Sequence, residues 1–468
     1  MKLFLIWPFE IPETATLFLE LEKNSHEILY WVGGKYDEKH KPVQTIFHNH
    51  FDAWVGIPPK ELKDAEFNPP GEELINKMSS VESIILTMMN KHFEGMCVDE
   101  RKNLYYKLLS YWYGVLNKFK PEAIIFSQPP HPVHSYLIYE LAQLLNIKTI
   151  IFERTLIAGR TVWKNNFWEG SRTLLEKVVA NKNKKFTIKD LSEDLQLYLK
   201  FCFDDVTRSN INTLMNRGSL RNKIKIVVKS IRNFTIFKKV YLYLYKLLKN
   251  NTQKEYRYFS NPKPDLSKKF IYAPLNFQPE CTTSPLGGVF VNQILMIKIL
   301  SASLPKDWVI YVKEHPVQWA LFGINYTDYR YLGYYKQIAQ IKNVQFVPIT
   351  INSFSLIRKS QVVATVNGTA SWEAVLRHKP ALVFGYPWYK DCSAVFKVNS
   401  VESCGSAIKK ITDGYRPNRD LIINYLKCIE QASIHDYINE KVQWNLKTTK
   451  QDYINNILTV INKELKNF

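Results

Sequence analysis

Three short runs in this chain place charged, imidazole and small polar side chains where a strand gives way to a loop. The first is Lys313-Glu314-His315-Pro316, directly after the apolar run WVIYV. A lysine and a histidine at a strand's carboxyl end supply two donors to a phosphate, and Pro316 keeps the histidine out of a following helix. A turn carrying surface charge would use the same residues. The second is Asn367-Gly368-Thr369-Ala370-Ser371, between VVAT and the helical pattern SWEAVLRH. Gly368 lets the backbone turn closely, Thr369 or Ser371 is placed to cap the helix, and the free N–H groups form an anion site. Most strand–helix junctions of this composition bind nothing. Glu373 is expected in the first turn, complementing the helix dipole or accepting from ribose hydroxyls. The third is Leu275-Asn-Phe-Gln-Pro-Glu280 with Thr282-Thr-Ser-Pro-Leu-Gly-Gly288, in which Glu280 is the carboxylate of interest.

A fourth group lies nearer the amino terminus. Gln128-Pro-Pro-His131-Pro-Val-His134 follows AIIFS, Glu10 and Glu13 follow the first apolar run, and His48-Asn-His50-Phe-Asp52 is a further polar cluster. Glu280, Glu10 or His131 could activate a hydroxyl as a general base. Pro132 separates His131 from His134 and no third ligand is evident, so no metal site is expected.

Those runs need strands to carry them. Residues 1–165 read as an α/β domain: Lys2–Trp7, Glu27–Val32, Ala123–Ser127 and Thr149–Phe152 are short apolar strands, with helical spacing over Leu104–Phe119 and Tyr136–Leu145. Residues 166–265 are helical in pattern and rich in Lys and Asn, and Asn261-Pro-Lys-Pro264 punctuates their end. Residues 266–415 return to strand–helix alternation, and 416–468 are helices expected to pack back across the domains. The strand–helix–strand order implies parallel sheets, with ligands at the carboxyl ends of the strands. The expected architecture is two Rossmann-like domains facing a central cleft, plus a helical basic insertion.

Composition bounds the rest. A chain of 468 residues with 46 % apolar and 23 % charged residues suits two globular domains of roughly 150–200 residues each. Six scattered cysteines without paired spacing point to a reducing compartment. The opening MKLFLIWPFEIPE is broken by proline and glutamate too early for a signal peptide. No apolar window reaches membrane-spanning length, so a cytoplasmic protein is expected, peripheral at most at the inner face of the membrane. The net charge is +20, and Arg217–Lys249 holds ten Lys and Arg with no Asp or Glu. Its interleaved Ile, Leu, Phe and Tyr suit an anionic bilayer surface, although a connecting helix with a solvated basic face has the same composition. No nucleic-acid-binding signature accompanies it.

Taken in order, FIYAPLNFQPECTTSPLGG, WVIYVKEHP and VNGTASWEAVLRHKPALVFG resemble the capsule polysaccharide biosynthesis family, best over residues 268–400. The resemblance implies a GT-B glycosyltransferase acting on a bacterial surface polysaccharide or a lipid-linked acceptor. Relatives include transferases of Kdo from CMP-Kdo. Sialyl- and polysialyltransferases share a His-Pro motif and a Ser/Thr motif that hold CMP. By that resemblance His315 and Pro316 take the first role, Thr369 and Ser371 the second, and the donor is CMP-linked Kdo or a nonulosonic acid. Gly-Thr-Ala-Ser departs from a plain Ser/Thr pair. No DxD-like run stands at a strand end, so transfer without a metal or other cofactor is expected. The rival readings are a UDP-sugar 2-epimerase on the same fold and a non-catalytic polysaccharide assembly or binding subunit.

Overall fold

The computed structural model describes residues 1–8, 14–34, 37–93, 95–155, 157, 159–203, 251–278, 281, 283–319, 321–322, 325–326, 330–435 and 449–466, with scattered positions between 228 and 248. Glu10, Glu280 and most of 217–249 therefore lie outside the described residues. The chain divides into two units, 1–198 with 423–468, and 199–422.

The first unit is built on a seven-stranded sheet. Its strands are β1 (Lys2–Trp7), β2 (Glu27–Gly33), β3 (Ile46–Asn49), β4 (Ala123–Phe126), β5 (Lys148–Arg154), β6 (Arg160–Lys164) and β15 (Ile434–His435). Their order is β15-β6-β5-β4-β1-β2-β3. β1 to β5 are parallel, while β6 and β15 add antiparallel at one edge. Alternation along β1 sends Leu3, Leu5 and Trp7 to one face, where helices Thr14–Lys23 and Lys450–Lys466 cover them with Phe18, Ile457 and Ile461. This packing is why the carboxyl-terminal helix belongs with the first unit. The opposite face carries Phe4 and Tyr30 against Trp112 and Phe119 of the helix Val98–Phe119.

In the second unit a six-stranded sheet is parallel throughout. It comprises β7 (Phe270–Pro274), β8 (Val309–Lys313), β11 (Val344–Phe346), β12 (Val362–Thr365), β13 (Ala381–Val383) and β14 (Val395–Lys397), in the order β11-β8-β7-β12-β13-β14. A small antiparallel pair, β9 (Leu321–Phe322) and β10 (Asn325–Tyr326), stands apart. Ile271 and Ala273 face the helices Gln293–Ala302 and Val401–Thr412, while Phe270 and Tyr272 face Leu356, Ile357 and Ala374. Burial on both faces explains why these strands read as unbroken apolar runs. The helix Thr252–Phe259 also belongs here: Tyr256 is buried in this core, and the Asn261 N–H donates to Phe346 O at 2.9 Å. The proline-rich punctuation thus falls after this helix, because the helix is fixed by the edge of β11.

In chain order the six parallel strands run 3-2-1-4-5-6, the Rossmann order, and the first unit's parallel strands run 3-2-1-4-5. Each sheet therefore has a switch point beside its first strand, where the connections depart in opposite directions and leave a crevice at the carboxyl ends. In the second unit that crevice lies between β7 and β12. A loop packs against its rim so closely that a Cβ on Gly385 would stand 2.6 Å from Leu286 O and 2.9 Å from Val366 O.

Candidate functional site

The loops after β7, β8 and β12 meet at the second unit's switch point. After β7, the Asn276 backbone is clamped by one side chain: its N–H donates to Gln293 Oε1 at 2.7 Å, and its carbonyl accepts from Gln293 Nε2 at 3.0 Å. That leaves the Asn276 amide for other work. The residue is 8 % exposed, its Oδ1 has no partner among the described residues, and its Nδ2 lies 3.0 Å from where a Cβ on Gly368 would be. Gly368 thus admits the amide to the start of the helix Thr369–Leu376.

Gly368 itself is that helix's N-cap, with no side-chain cap. Sequence reasoning put the cap on Thr369 or Ser371, and the structure corrects this. Ser371 is fully buried and hydrogen-bonds Thr365 Oγ1 at 2.7 Å, and Thr365 Oγ1 in turn accepts from the Gly368 N–H at 3.2 Å. Ser371 is therefore an internal latch on the turn. The N–H groups of Thr369 and Ala370 have no acceptor among the described residues. Thr369 is exposed and Asn367 largely buried. Glu373 is the fifth helical residue, so it stands in the second turn, not the first, because the helix begins at Thr369.

The run after β8 divides between interior and surface. Lys313 is 4 % exposed and its ammonium donates to Ile351 O and, at 2.9 Å, to Ser353 Oγ. With two neutral acceptors and no carboxylate at hand, burial lowers its pKa to about 8. Glu314 is also buried, receiving Arg330 at 2.9 and 3.2 Å, Tyr335 Oη at 2.7 Å and the His315 N–H at 2.7 Å. Arg330 donates further to Asn276 O at 3.1 Å and to Gln278 Oε1. Lys313 and Glu314, expected among the ligand contacts, instead brace the loops, since each already has its partners inside the fold.

His315 faces outward from this frame. Its Nδ1 accepts from the Val317 N–H at 3.2 Å, which fixes the neutral tautomer with the proton on Nε2. Burial lowers its pKa, so the ring presents a neutral N–H donor. Its ring centroid is 5.7 Å from that of Phe277, on the loop after β7. The donors of His315, Thr369 and Ala370 therefore stand on the loops of β8 and β12, with Asn276 on the loop of β7 between them.

The first unit's carboxyl edge is different in kind. His48, on β3, accepts from Tyr30 Oη at 2.7 Å on Nδ1 and donates from Nε2 to Ile57 O at 2.8 Å. Burial takes its pKa, and that of His50, down to about 4. His131 Nδ1 donates to Pro129 O at 3.1 Å, which leaves the lone pair on Nε2, the opposite tautomer to His315. His134 is fully buried. Among the described residues no group of three or more His, Cys, Asp or Glu is disposed to hold a metal ion.

Two Rossmann-like α/β units in one chain, the second with a donor-rich switch point, define the class of protein. Within it, residues 284–393 match the model of the capsule polysaccharide biosynthesis protein family. That span contains both the Lys313–Pro316 and the Asn367–Glu373 runs, so the family resemblance expected from the motifs holds there. No curated protein matches the chain by sequence. Among solved structures, the chain is similar to a UDP-GlcNAc 2-epimerase from Methanocaldococcus jannaschii (12 % identity, 92 % of this chain and 99 % of that one, TM-score 0.29). It is also similar to the β-Kdo 2,7 transferase of KpsC from Thermosulfurimonas dismutans (12 % identity, 75 % and 89 %, TM-score 0.33).

Sequence reasoning missed Asn276, Gln293 and Arg330. Asn276 lies four residues before Glu280 in the run Leu275–Glu280, and nothing in its local pattern marks it. Replacing Glu314 with Gln strands the Arg330 guanidinium in the interior, and should destabilise the second unit by about 3–5 kcal/mol in urea unfolding. Adding Arg330→Gln should restore part of that loss. A cost below about 1 kcal/mol would mean that the pair does not hold the loops.

Proposed function

We propose that the chain is a GT-B glycosyltransferase of surface-polysaccharide synthesis, with the donor's nucleotide phosphate received at the second unit's switch point. The observation that carries this reading is the set of unused donors there: His315 Nε2–H and the N–H groups of Thr369 and Ala370. They are neutral, pre-placed and confined to a helix N-terminus and one loop, which suits an anion. The family match over 284–393 supports the same reading.

In the proposed reaction an acceptor hydroxyl attacks the anomeric carbon. The bond from that carbon to the phosphate oxygen breaks, and its electron pair leaves with the nucleotide phosphate, where the fixed N–H groups stabilise the developing charge. The hydroxyl proton passes to a base. Glu280, Glu10 and His131 are the candidates for that base. The N–H donors supply the stabilisation that a divalent cation would otherwise give, so the transfer is proposed to need no metal. By the motif resemblance the donor is CMP-linked Kdo or a nonulosonic acid.

Calorimetry with CMP, UDP and GDP tests the assignment. CMP should bind in preference to the others, and His315→Ala should weaken it by about tenfold or more, the equivalent of ~1.4 kcal/mol. Preference for UDP would replace the CMP assignment and favour a hexose transferase or a 2-epimerase. Binding of none of the three would favour an assembly subunit.

The basic segment 217–249 is proposed to hold the enzyme at an anionic bilayer, where a lipid-linked acceptor would reside. No helix among the described residues is long and apolar enough to cross a membrane. Described positions in the segment expose apolar side chains at spacings of three and four, among them Phe237 at 71 %, Tyr241 at 66 % and Leu248 at 82 %. An apolar stripe interleaved with ten cations fits a headgroup surface. The full chain should float with phosphatidylglycerol vesicles, and less so with phosphatidylcholine vesicles or at high salt. Glutamate at Lys223, Lys225 and Lys229 should abolish flotation, and equal recovery with both lipids would contradict an electrostatic surface.

A further inference from the structure

Around the second unit's switch point the buried charges do not balance among the described residues. Glu314 and Arg330 cancel each other in the interior. Lys313, at the end of β8, is also buried, yet its ammonium donates to Ile351 O and Ser353 Oγ, both neutral. No carboxylate among the described residues offsets the cost of burying it. Ser353 opens the helix Ser353–Lys359, so the cation also stands at the positive end of that helix. A buried ammonium held in this way is unfavourable unless an anion comes to it.

The groups packed around Lys313 do not supply that anion. From β7, Tyr272 Oη donates to Ser353 Oγ at 3.3 Å, and burial raises its pKa, so it stays neutral. From the helix Thr252–Phe259, Tyr256 Oη donates to Val347 O and is raised by burial in the same way. The Glu373 carboxylate, on the helix Thr369–Leu376, adds to the rise at Tyr272 but does not offset burial at Lys313. On the run after β8, Glu314 is committed to Arg330. His315 is neutral, because burial lowers its pKa and the Arg330 and Lys313 charges lower it further. The Lys313 charge therefore reaches the imidazole that faces the proposed phosphate.

We infer that Lys313 is a positioning residue whose ammonium supplies the net positive charge of the nucleotide site and couples nucleotide binding to uptake of one proton in alkaline solution. The inference rests on the phosphate assignment made above and deepens it. Burial lowers Lys313 to about 8 when no ligand is bound. A terminal nucleotide phosphate, dianionic above about pH 6, favours the protonated form and raises that value. Below about pH 7 the ammonium is charged with or without ligand, and binding takes up no proton. Above about pH 8 it is neutral in the free protein and charged in the complex. Each binding event then takes up a proton, and affinity falls by up to about tenfold per pH unit. Lys397 is also lowered to about 8 by burial, but it stands at the end of β14, the far edge of the sheet, and donates to Phe384 O and Gly385 O at 2.6 Å each.

Calorimetry on the full chain, with CMP, UDP and GDP in buffers of different ionisation enthalpy, counts the protons. With the tightest binder, wild type should take up none at about pH 7 and close to one at about pH 9, with affinity down about fivefold or more. Lys313→Arg keeps a charge that does not titrate, so it should bind without that proton and with equal affinity at both pH values. Lys313→Met should also lose the proton and bind about tenfold or more weakly at about pH 7. Lys397→Met should keep the uptake. A purely structural role for Lys313 would weaken binding in the variants and leave no proton signature in wild type. Failure of all three nucleotides to bind at about pH 7 would overturn the phosphate assignment and this inference with it. Binding without proton uptake at about pH 9, or uptake that persists in Lys313→Met, would leave that assignment standing and overturn this inference alone.

Discussion

The second unit's site hangs on one buried ion pair. Arg330 and Glu314 are both fully removed from solvent, 2.9 Å apart. An isolated charge in such a place is prohibitive, so each residue must hold the other, and every remaining lone pair and N–H must find a partner. Those secondary partners are what matter. Glu314 also receives Tyr335 and the His315 N–H, while Arg330 reaches back to Asn276 O and Gln278 Oε1. The pair therefore fastens the loop after β7 to the loop after β8, and so sets where Asn276 and the His315 imidazole stand.

Backbone contacts then decide what the two informative histidines present. A main-chain N–H on Nδ1 makes His315 a donor, whereas a main-chain carbonyl on Nδ1 makes His131 an acceptor. The residue type is the same, and one hydrogen bond sets the sign of its chemistry. The two units accordingly present different edges, with an imidazole N–H in the second and an imidazole lone pair in the first.

Much of the fold was legible because parallel strands buried on both faces leave short apolar runs between turn residues. AIIF, VVAT and ALV are strands for that reason. Less legible were β3, whose IFHN carries two polar residues, and the antiparallel β6, whose RTVWK includes buried cations paired across the fold. In the site, the strand-end runs were visible as positions but not as roles. Lys313-Glu314-His315 reads as three ligand contacts, yet two of the three face the interior, a distinction made by Arg330, Ile351 and Ser353, far along the chain. Likewise Ser371 reads as a helix cap until Thr365 is seen to claim it. Partners that are distant in sequence are what a local pattern omits.

A structure of the full chain with CMP bound would test the central claim most directly. The phosphate should lie within hydrogen-bond distance of His315 Nε2 and the Thr369 and Ala370 N–H groups, with Arg330 and Glu314 still paired beneath. A phosphate held elsewhere, with those donors left unused, would contradict it.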